Sequence, residues 1–245
     1  MLRRDAYLLA GPTASGKSAA AALLARRMGA AVLSADSMLV YKGMDVGTAK
    51  PPVAERDEFS MGGIDLVTPA EHFSSGAWLR AAARWLAALP PSCPVVIVGG
   101  TGLYFSALLR GLDRKWSLPP PAYPVLQLAR PVLHARIAAR LDDMFLQGLA
   151  AEVADLRRRY PVWSDTASAA IGYKEFRDGL DAASVRARIL VRTRQLAKRQ
   201  ETWFRHQATA IYVPGGATAE ETAGRVWRVW EERGPWQVCL PEEES

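Results

Sequence analysis

The segment over residues 11–18 constrains the fold of this chain more than any other. It reads Gly-Pro-Thr-Ala-Ser-Gly-Lys-Ser, which is a complete G-x-x-x-x-G-K-[ST] phosphate loop. An apolar run over residues 6–10 precedes the loop and an alanine-rich stretch over residues 19–28 follows it, so the loop joins a predicted strand to a predicted helix. The motif requires this order, and the segment therefore predicts a P-loop NTPase-like α/β fold.

The phosphate loop also predicts a ligand. Its glycines let backbone N–H groups converge on phosphate oxygens, Lys17 adds a positive charge, and the N-terminus of the following helix adds a partial positive charge. The Ser18 hydroxyl is placed to hold a metal ion that bridges two phosphates. We therefore expect a di- or triphosphate ligand, with phosphate contacts from Gly11, Pro12, Thr13, Ala14, Ser15, Gly16, Lys17 and Ser18.

Two further polar positions lie where predicted strands end. Asp36 follows a short strand over residues 31–33, and Thr101 follows a run of β-branched residues within 94–98. Strands and helices alternate through this half of the chain, which predicts a parallel sheet flanked by helices. Ligands of such sheets bind at the carboxyl ends of the strands, so we expect Asp36, Thr101 and the phosphate loop to form one site.

The strand over 94–98 ends in Gly99-Gly100-Thr101-Gly102. Hydrolytic P-loop enzymes usually place an aspartate at the end of such a strand, where it holds the water shell of Mg²⁺. A glycine turn accounts for part of this pattern, because glycine tolerates backbone conformations that other residues avoid. Thr101 still offers a hydroxyl and an N–H group to a phosphate. The segment therefore argues against a hydrolase.

The composition indicates a folded, basic protein. Hydrophobic residues make up 49% of 245 residues, and the net charge is +6 with a pI of about 9.5, which favours polyanionic partners such as nucleic acid. The two cysteines and the scattered His72, His134 and His206 have no metal-ligand spacing. No signal peptide or membrane-length apolar run is evident, so we expect a cytoplasmic protein without a membrane association.

A Pro-rich connector is predicted over residues 112–124, because a proline density of this kind excludes helix and sheet interiors. Beyond it the chain is mostly helical. We expect a single domain over 1–245 with a helical C-terminal half. Its predicted helices span residues 131–147, 148–159, 182–208 and 218–232, and its predicted strands span 125–129 and 210–213.

Two basic segments are candidates for phosphate or nucleic-acid contact. Arg136 and Arg140 share one face of a predicted helix, where their forked guanidinium groups suit phosphates, although the spacing alone favours a solvated face. Residues 186–205 hold seven basic residues and one acid, Glu201. Polar and aromatic side chains among them could reach bases or sugars, or the aromatic end could pack into the core: Gln195, Gln200 and Trp203.

Together these segments resemble the tRNA dimethylallyltransferase (tRNA isopentenyltransferase) family. The resemblance covers residues 6–212 and rests on matching segments in the family order. The Asp-Ser-x-x-x-Tyr pattern from Asp36 and the Ala-Lys-Arg-Gln pattern ending at Gln200 are far more specific than the phosphate loop. The matching segments are residues 11–18, 36–51, 98–104, 136–140, 148–153, 170–175 and 193–205.

The resemblance implies a prenyl transfer in which the N6 amine of an adenine attacks C1 of dimethylallyl diphosphate and pyrophosphate leaves. It implies that Asp36 takes or orients the N6 proton, that Thr101 and Arg140 help to hold the diphosphate, and that these three residues are catalytic. The implied cofactor is Mg²⁺ near Ser18. The implied partners are dimethylallyl diphosphate and the tRNA anticodon stem-loop, and we expect a monomer. The implied tRNA contacts are Asp36, Ser37, Met38, Leu39, Tyr173, Lys174, Arg194, Lys198 and Arg199.

The chain departs from the family pattern at one place. Family members usually carry a helical, basic insertion after the segment that corresponds to residues 109–112, and here the connector over 112–124 replaces it. Fewer phosphate contacts imply weaker tRNA binding with a shallower salt dependence. Three alternatives stay open: an enzyme that prenylates free adenine nucleotides, a P-loop small-molecule kinase, and a nucleic-acid-binding protein with a relic nucleotide site.

Overall fold

The computed structural model describes residues 2–110 and 121–240, and its sheet has seven strands. The strands are β1 (Leu2–Ala10), β2 (Ala31–Ala35), β3 (Met61–Gly62), β4 (Val95–Gly99), β5 (Tyr123–Gln127), β6 (Ala210–Pro214) and β7 (Trp236–Leu240). Six of them are parallel, in the order β3-β2-β4-β1-β5-β6, and β7 pairs antiparallel with β1.

Nine helices occur in the described residues, and they cover both faces of the sheet. The α-helices are α1 (Lys17–Met28), α2 (Val53–Glu58), α3 (Ser75–Ala88), α4 (Gly102–Arg110), α5 (Arg130–Leu146), α6 (Leu149–Arg159), α7 (Asp165–Ser168), α8 (Ala182–Arg205) and α9 (Ala219–Arg233). Side chains alternate along β1 between the two faces of the sheet. Leu8 packs into the larger core cluster with α3, α4 and α8, and Leu9 packs into the smaller cluster with α1 and α9.

The register of the central strands brings their carboxyl ends to one edge. Gly99 at the end of β4 pairs with Ala10 of β1 on one side and with Ala35 of β2 on the other. The phosphate loop, Asp36 and the glycine-rich segment after β4 therefore leave the sheet at the same level. This register confirms the expected parallel arrangement of β1, β2 and β4.

The end of the expected connector differs from the structure. Pro124 was expected in the connector, but it lies inside β5, and residues 111–120 fall outside the described residues. The amide of Tyr123 donates to the carbonyl of Thr209, the residue just before β6, so the nitrogen of the next residue, Pro124, faces β1 instead. In the described residues β5 pairs with β1 at Val125 and Ala10. The missing N–H of proline therefore interrupts no ladder bond to β6.

The strand β7 was not expected, and it extends β1 toward its N-terminus. Residues of β1 from Leu2 to Ala6 pair with β7, whereas the apolar run from residue 6 alone had marked the predicted strand. Among the described side chains of β7, Trp236 is half-buried, Gln237 is exposed and Val238 is fully buried, which is a weak local signal.

The C-terminal half is largely helical, as expected. The break between α5 and α6 falls at Gly148, whose φ of 92° is a left-handed conformation that favours glycine. Asp181 caps α8 by accepting from the Ser184 amide, and α8 ends at Arg205 rather than at residue 208. None of the helices in the described ranges is long and apolar enough to cross a membrane.

Candidate active site

The phosphate loop has the backbone of an anion site. It leaves β1 after Ala10 and ends at Gly16, which has a φ of 90° and precedes α1. The first turn of α1 carries no acidic residue and no side-chain cap, so its N–H groups remain available to a ligand. Ala14 also has a positive φ of 62°, a strained conformation of the kind that clusters at binding loops.

Lys17 lies at the start of α1 and its ammonium donates to the Pro12 carbonyl at 3.2 Å. Burial lowers the pKa of Lys17 to about 8, the Asp36 carboxylate opposes this shift, and the Arg140 charge adds to it. Lys17 is therefore mostly charged at neutral pH, but its charge is poorly compensated by the protein. A bound anion would supply the missing compensation.

The two arginines of α5 both turn toward the phosphate loop, so neither forms the solvated face that their spacing alone favoured. Arg140 donates to the Thr13 hydroxyl at 2.7 Å. Burial lowers the pKa of Arg140, opposed by the Asp36 charge, which indicates a guanidinium inside the site. Arg136 instead donates to the Ser15 carbonyl at 3.4 Å and to the Gly216 carbonyl at 2.9 Å, so it braces the loop from outside.

Asp36 and Thr101 follow neighbouring strands and are held by short local bonds. The Asp36 carboxylate accepts from the Met38 amide at 2.9 Å, and the Thr101 hydroxyl accepts from the Ser37 amide at 2.9 Å. A Cβ atom on Gly99 would lie 2.2 Å from the Ala35 carbonyl oxygen, so only glycine allows this approach of β4 to β2. The glycine-rich segment is therefore explained by close packing of the site.

Gln200 of α8 makes two hydrogen bonds at the site that no local pattern predicted. Its side-chain carbonyl accepts from the Thr13 amide at 2.8 Å, and its amide donates to the Gly100 carbonyl at 3.0 Å. It thus ties the phosphate loop to the segment after β4. Trp203 packs against Gly102, where a Cβ atom would lie 2.4 Å from the indole. The Ala-Lys-Arg-Gln pattern, which ends at Gln200, was the sequence signal that could have identified this residue.

Two cavities meet at this edge of the sheet, and they share Thr13, Asp36, Thr48 and Arg140. The small cavity, of about 80 Å³, holds Lys17 and Ser18 beside an apolar floor formed by Ala21, Ala22, Val32, Phe59, Met61 and Val98. The large cavity, of about 550 Å³, lies between α5, α7 and α8, a volume within the usual range for ligand pockets.

Known proteins match this chain along most of its length. The family model described as IPP transferase matches residues 39–124 and 119–207, and the model described as Isopentenyl transferase matches residues 4–60. A tRNA dimethylallyltransferase from Acidithiobacillus ferrooxidans is 31% identical over 281 aligned positions, covering 85% of this chain and 89% of the relative. One from an Azoarcus species is 34% identical and covers 82% and 87%. This chain belongs to the tRNA isopentenyltransferase family.

Solved structures agree with this tRNA isopentenyltransferase assignment. The crystal structure of the tRNA isopentenylpyrophosphate transferase from Bacillus halodurans superposes with a TM-score of 0.80 at 26% identity, covering 94% of this chain and 98% of that one. A Staphylococcus epidermidis structure has a TM-score of 0.82 at 23% identity, which supports the fold. The expected P-loop NTPase-like fold and the family resemblance are both confirmed.

The positions that the resemblance assigned to tRNA fall into three groups. Ser37, Met38 and Arg199 line the large cavity, and Leu39 lines the small one. Lys174 and Lys198 are exposed, and Arg194 is half-buried with an Nε atom that has no partner among the described residues. Tyr173 is different, because it is 1% exposed and its hydroxyl donates to Glu152 at 2.6 Å, which leaves no free face for an RNA.

The residues present fit a Mg²⁺ ion. Ser18 is exposed at the start of α1 and lines the small cavity, where its hydroxyl oxygen is available to a metal ion. Oxygen donors are what Mg²⁺ prefers, and it commonly takes only one or two from the protein and the rest from phosphates and water. Within residues 2–110 and 121–240 there is no group of three or more His, Cys, Asp or Glu side chains that could hold a metal by itself.

Proposed function

We propose that this chain transfers a dimethylallyl group from dimethylallyl diphosphate to N6 of an adenosine next to the tRNA anticodon and releases pyrophosphate. The observation that carries the proposal is the meeting of two cavities at Asp36 and Arg140. One cavity has the chemistry of a short prenyl diphosphate, and the other has the size of a nucleoside.

The donor would bind on the phosphate-loop side. Its diphosphate would take the first N–H groups of α1 and the charges of Lys17 and Arg140, and the apolar floor nearby suits a five-carbon chain. As the bond between C1 and the diphosphate oxygen breaks, negative charge grows on the leaving group. Fixed cations and N–H donors in a partly buried site stabilise that charge.

The acceptor would enter the large cavity. Its adenosine must leave the stacked anticodon loop to reach Asp36, as in other enzymes that act on a base. Apolar side chains of α5 and α8 line the entry and exclude water from C1, among them Leu141, Met144 and Leu196. The Asp36 carboxylate would orient the N6 amine and accept its proton after the N6–C1 bond forms.

Mg²⁺ is proposed as the cofactor, held by Ser18 together with the donor phosphates, and it would neutralise part of the diphosphate charge. Thr101 would support the diphosphate through its hydroxyl beside Ser37. We further propose that the protein acts as a monomer in the cytoplasm, where its tRNA substrate is found.

We also propose that this chain makes fewer contacts to tRNA than its relatives, because it lacks the insertion. The alignment with the Acidithiobacillus relative has 281 positions, whereas 85% of 245 residues is about 208, so about 73 positions have no residue of this chain. The IPP transferase match also divides at residues 119–124, within the expected connector. Both observations support a missing insertion.

Mass spectrometry of tRNA nucleosides tests the proposed function. Purified protein is incubated with dimethylallyl diphosphate, Mg²⁺ and tRNA whose anticodon-adjacent adenosine is unmodified, and in parallel with AMP. We expect a dimethylallyl mass shift on the adenosine of the tRNA only. A shift on AMP alone would replace the proposal by the free-nucleotide activity, and consumption of ATP without any prenylation would replace it by a kinase.

A further inference from the structure

One carboxylate outside the reacting groups collects four hydrogen-bond donors. Glu152 of α6 accepts from the backbone amides of Asp45 at 3.0 Å, Val46 at 2.7 Å and Gly47 at 3.0 Å. It also accepts from the Tyr173 hydroxyl at 2.6 Å. Successive backbone amides that point at one anion form a nest, an arrangement that fixes the backbone conformation of the segment.

The segment that Glu152 holds is a wall of the large cavity. Gly47 and Thr48 line that cavity, and so does Gly172, the residue before Tyr173. The Tyr173 ring lies directly against Gly47, where a Cβ atom would come within 2.6 Å of it. Glu152 and Tyr173 thus join two parts of the cavity wall that are distant in sequence.

The bond between these two side chains is firm. Burial raises the pKa of the Tyr173 phenol well above its usual value, and the nearby Glu152 charge adds to the shift, so the hydroxyl keeps its proton and donates. A second anchor acts on the same loop, because the buried ammonium of Lys50 pairs with the Asp45 side chain at 2.6 Å and with Asp65 at 2.7 Å. Loss of Glu152 is therefore expected to loosen the wall without releasing the whole loop.

We propose that Glu152 and Tyr173 are positioning residues for the acceptor: they hold Gly47 and Thr48 so that the nucleoside in the large cavity presents its amine to Asp36. The inference rests on the proposed function for the identity of the acceptor. Neither residue lines the small cavity. Thr48 lines both cavities, but the phosphate loop and Arg140, which would hold the diphosphate, belong to other segments. We therefore expect the effect to fall mainly on the acceptor, with pyrophosphate binding unchanged.

The test uses the near-isosteric variants Glu152→Gln and Tyr173→Phe in the full chain. The amide of glutamine turns one acceptor into a donor that faces backbone N–H groups. We expect kcat/KM for tRNA to fall by about tenfold or more in each, since about 1.4 kcal/mol of lost hydrogen bonding is a tenfold change. The Kd of pyrophosphate should stay unchanged. The double variant should lose no more than the worse single one, because the two act as a unit.

The matched control is Asp155→Asn, on the same helix, where the carboxylate pairs with the surface arginines Arg158 and Arg159. This variant should match the wild type in every assay. Hydrogen exchange supplies a readout that needs no activity: the amides of residues 45–47 should exchange faster in Glu152→Gln, with the amides of β1 and β4 unchanged.

Unchanged kcat/KM in Glu152→Gln, or an equal loss of pyrophosphate affinity, would overturn the positioning role. Unchanged exchange at residues 45–47 would overturn the clamp itself. A wild-type protein that prenylates no tRNA would overturn the proposed function instead, and the exchange measurement would then still decide whether Glu152 holds this segment.

Discussion

The small cavity beside the phosphate loop and the large cavity under α8 share four residues but are held in place differently. The small cavity is lined by the first turns of α1, by β2, β3, β4 and α2, and by part of the loop after β2. The large cavity is lined by α5, α7 and α8, by the phosphate loop and by the loop after β2, and side-chain hydrogen bonds from Gln200 and Glu152 hold these two loops. The proposed donor side is therefore held largely by the sheet and α1, and the proposed acceptor side largely by single side chains.

This difference implies that substitutions act separately on the two sides. Changes at the junction of the cavities should impair chemistry, changes beside the phosphate loop should impair donor binding, and changes in the bracing side chains should impair acceptor alignment. Variants on each side of the junction can therefore test that separation.

The largest effect is expected for Asp36→Ala, at the junction of the cavities. Turnover should fall by roughly 10²–10⁴-fold, the usual contribution of a general base. Diphosphate binding should remain largely intact, because Lys17 and Arg140 are still present. Single-turnover rates and pyrophosphate titration measure the two quantities separately. An equal loss of both would show that Asp36 is a structural residue or a metal ligand.

A pair of α5 variants separates binding from bracing. Arg140→Ala should weaken donor binding by about a hundredfold and lower turnover, because a hydrogen bond to a charged group contributes about 1.5–3 kcal/mol. Arg136→Ala should chiefly lower thermal stability, since the hydrogen bonds of Arg136 go to the backbone carbonyls of Ser15 and Gly216. Titration calorimetry and thermal melts check both. Unchanged donor affinity in Arg140→Ala would contradict its role.

Gln200→Ala should affect both cavities at once. It leaves the Thr13 amide and the Gly100 carbonyl without their partner, and an unsatisfied polar group of this kind costs on the order of 1–3 kcal/mol. We expect pyrophosphate affinity and kcat/KM for tRNA each to fall by about tenfold. Thr202→Ala, an exposed position on the same helix, is the control. A loss confined to one substrate would show that Gln200 serves only one side.

The pH dependence of donor binding reports on Lys17. Because its pKa is about 8, the ammonium is lost above pH 8, and pyrophosphate affinity should fall by up to about tenfold between pH 7 and pH 9. Lys17→Arg, which stays charged, should lack this component and corrects for titration of pyrophosphate itself. The ligand-free protein should behave oppositely: the unfolded chain holds the proton more tightly between pH 8 and 10.5, so stability should rise with pH across that window.

The smallest effect is expected in the salt dependence of tRNA binding. If the missing insertion removes phosphate contacts, a plot of log affinity against log salt should be shallower than for the Acidithiobacillus relative, with weaker binding at low salt. Filter binding over a range of KCl concentrations measures the slope of both proteins. An equally steep slope would mean that other basic side chains replace the lost contacts.

Local patterns predicted much of this structure. The phosphate loop, the parallel strands around it and the long α8 depend on neighbouring residues and on their periodicity, and all three are found. The short β7 and the strand position of Pro124 were missed, because each depends on a pairing partner elsewhere in the chain. The same applies to Gln200, whose bond to the Thr13 amide joins positions 187 residues apart.

Local sequence alone located a phosphate loop at residues 11–18 between a strand and a helix, because one contiguous segment carries both the glycines and the charge. The family resemblance implied that Arg140 belongs to the site, but the fold was needed to show that Arg136 braces the loop from outside and that Tyr173 and Glu152 hold the segment over residues 45–47. Such roles depend on where distant side chains meet once the helices have packed on the sheet, and no local pattern records that meeting.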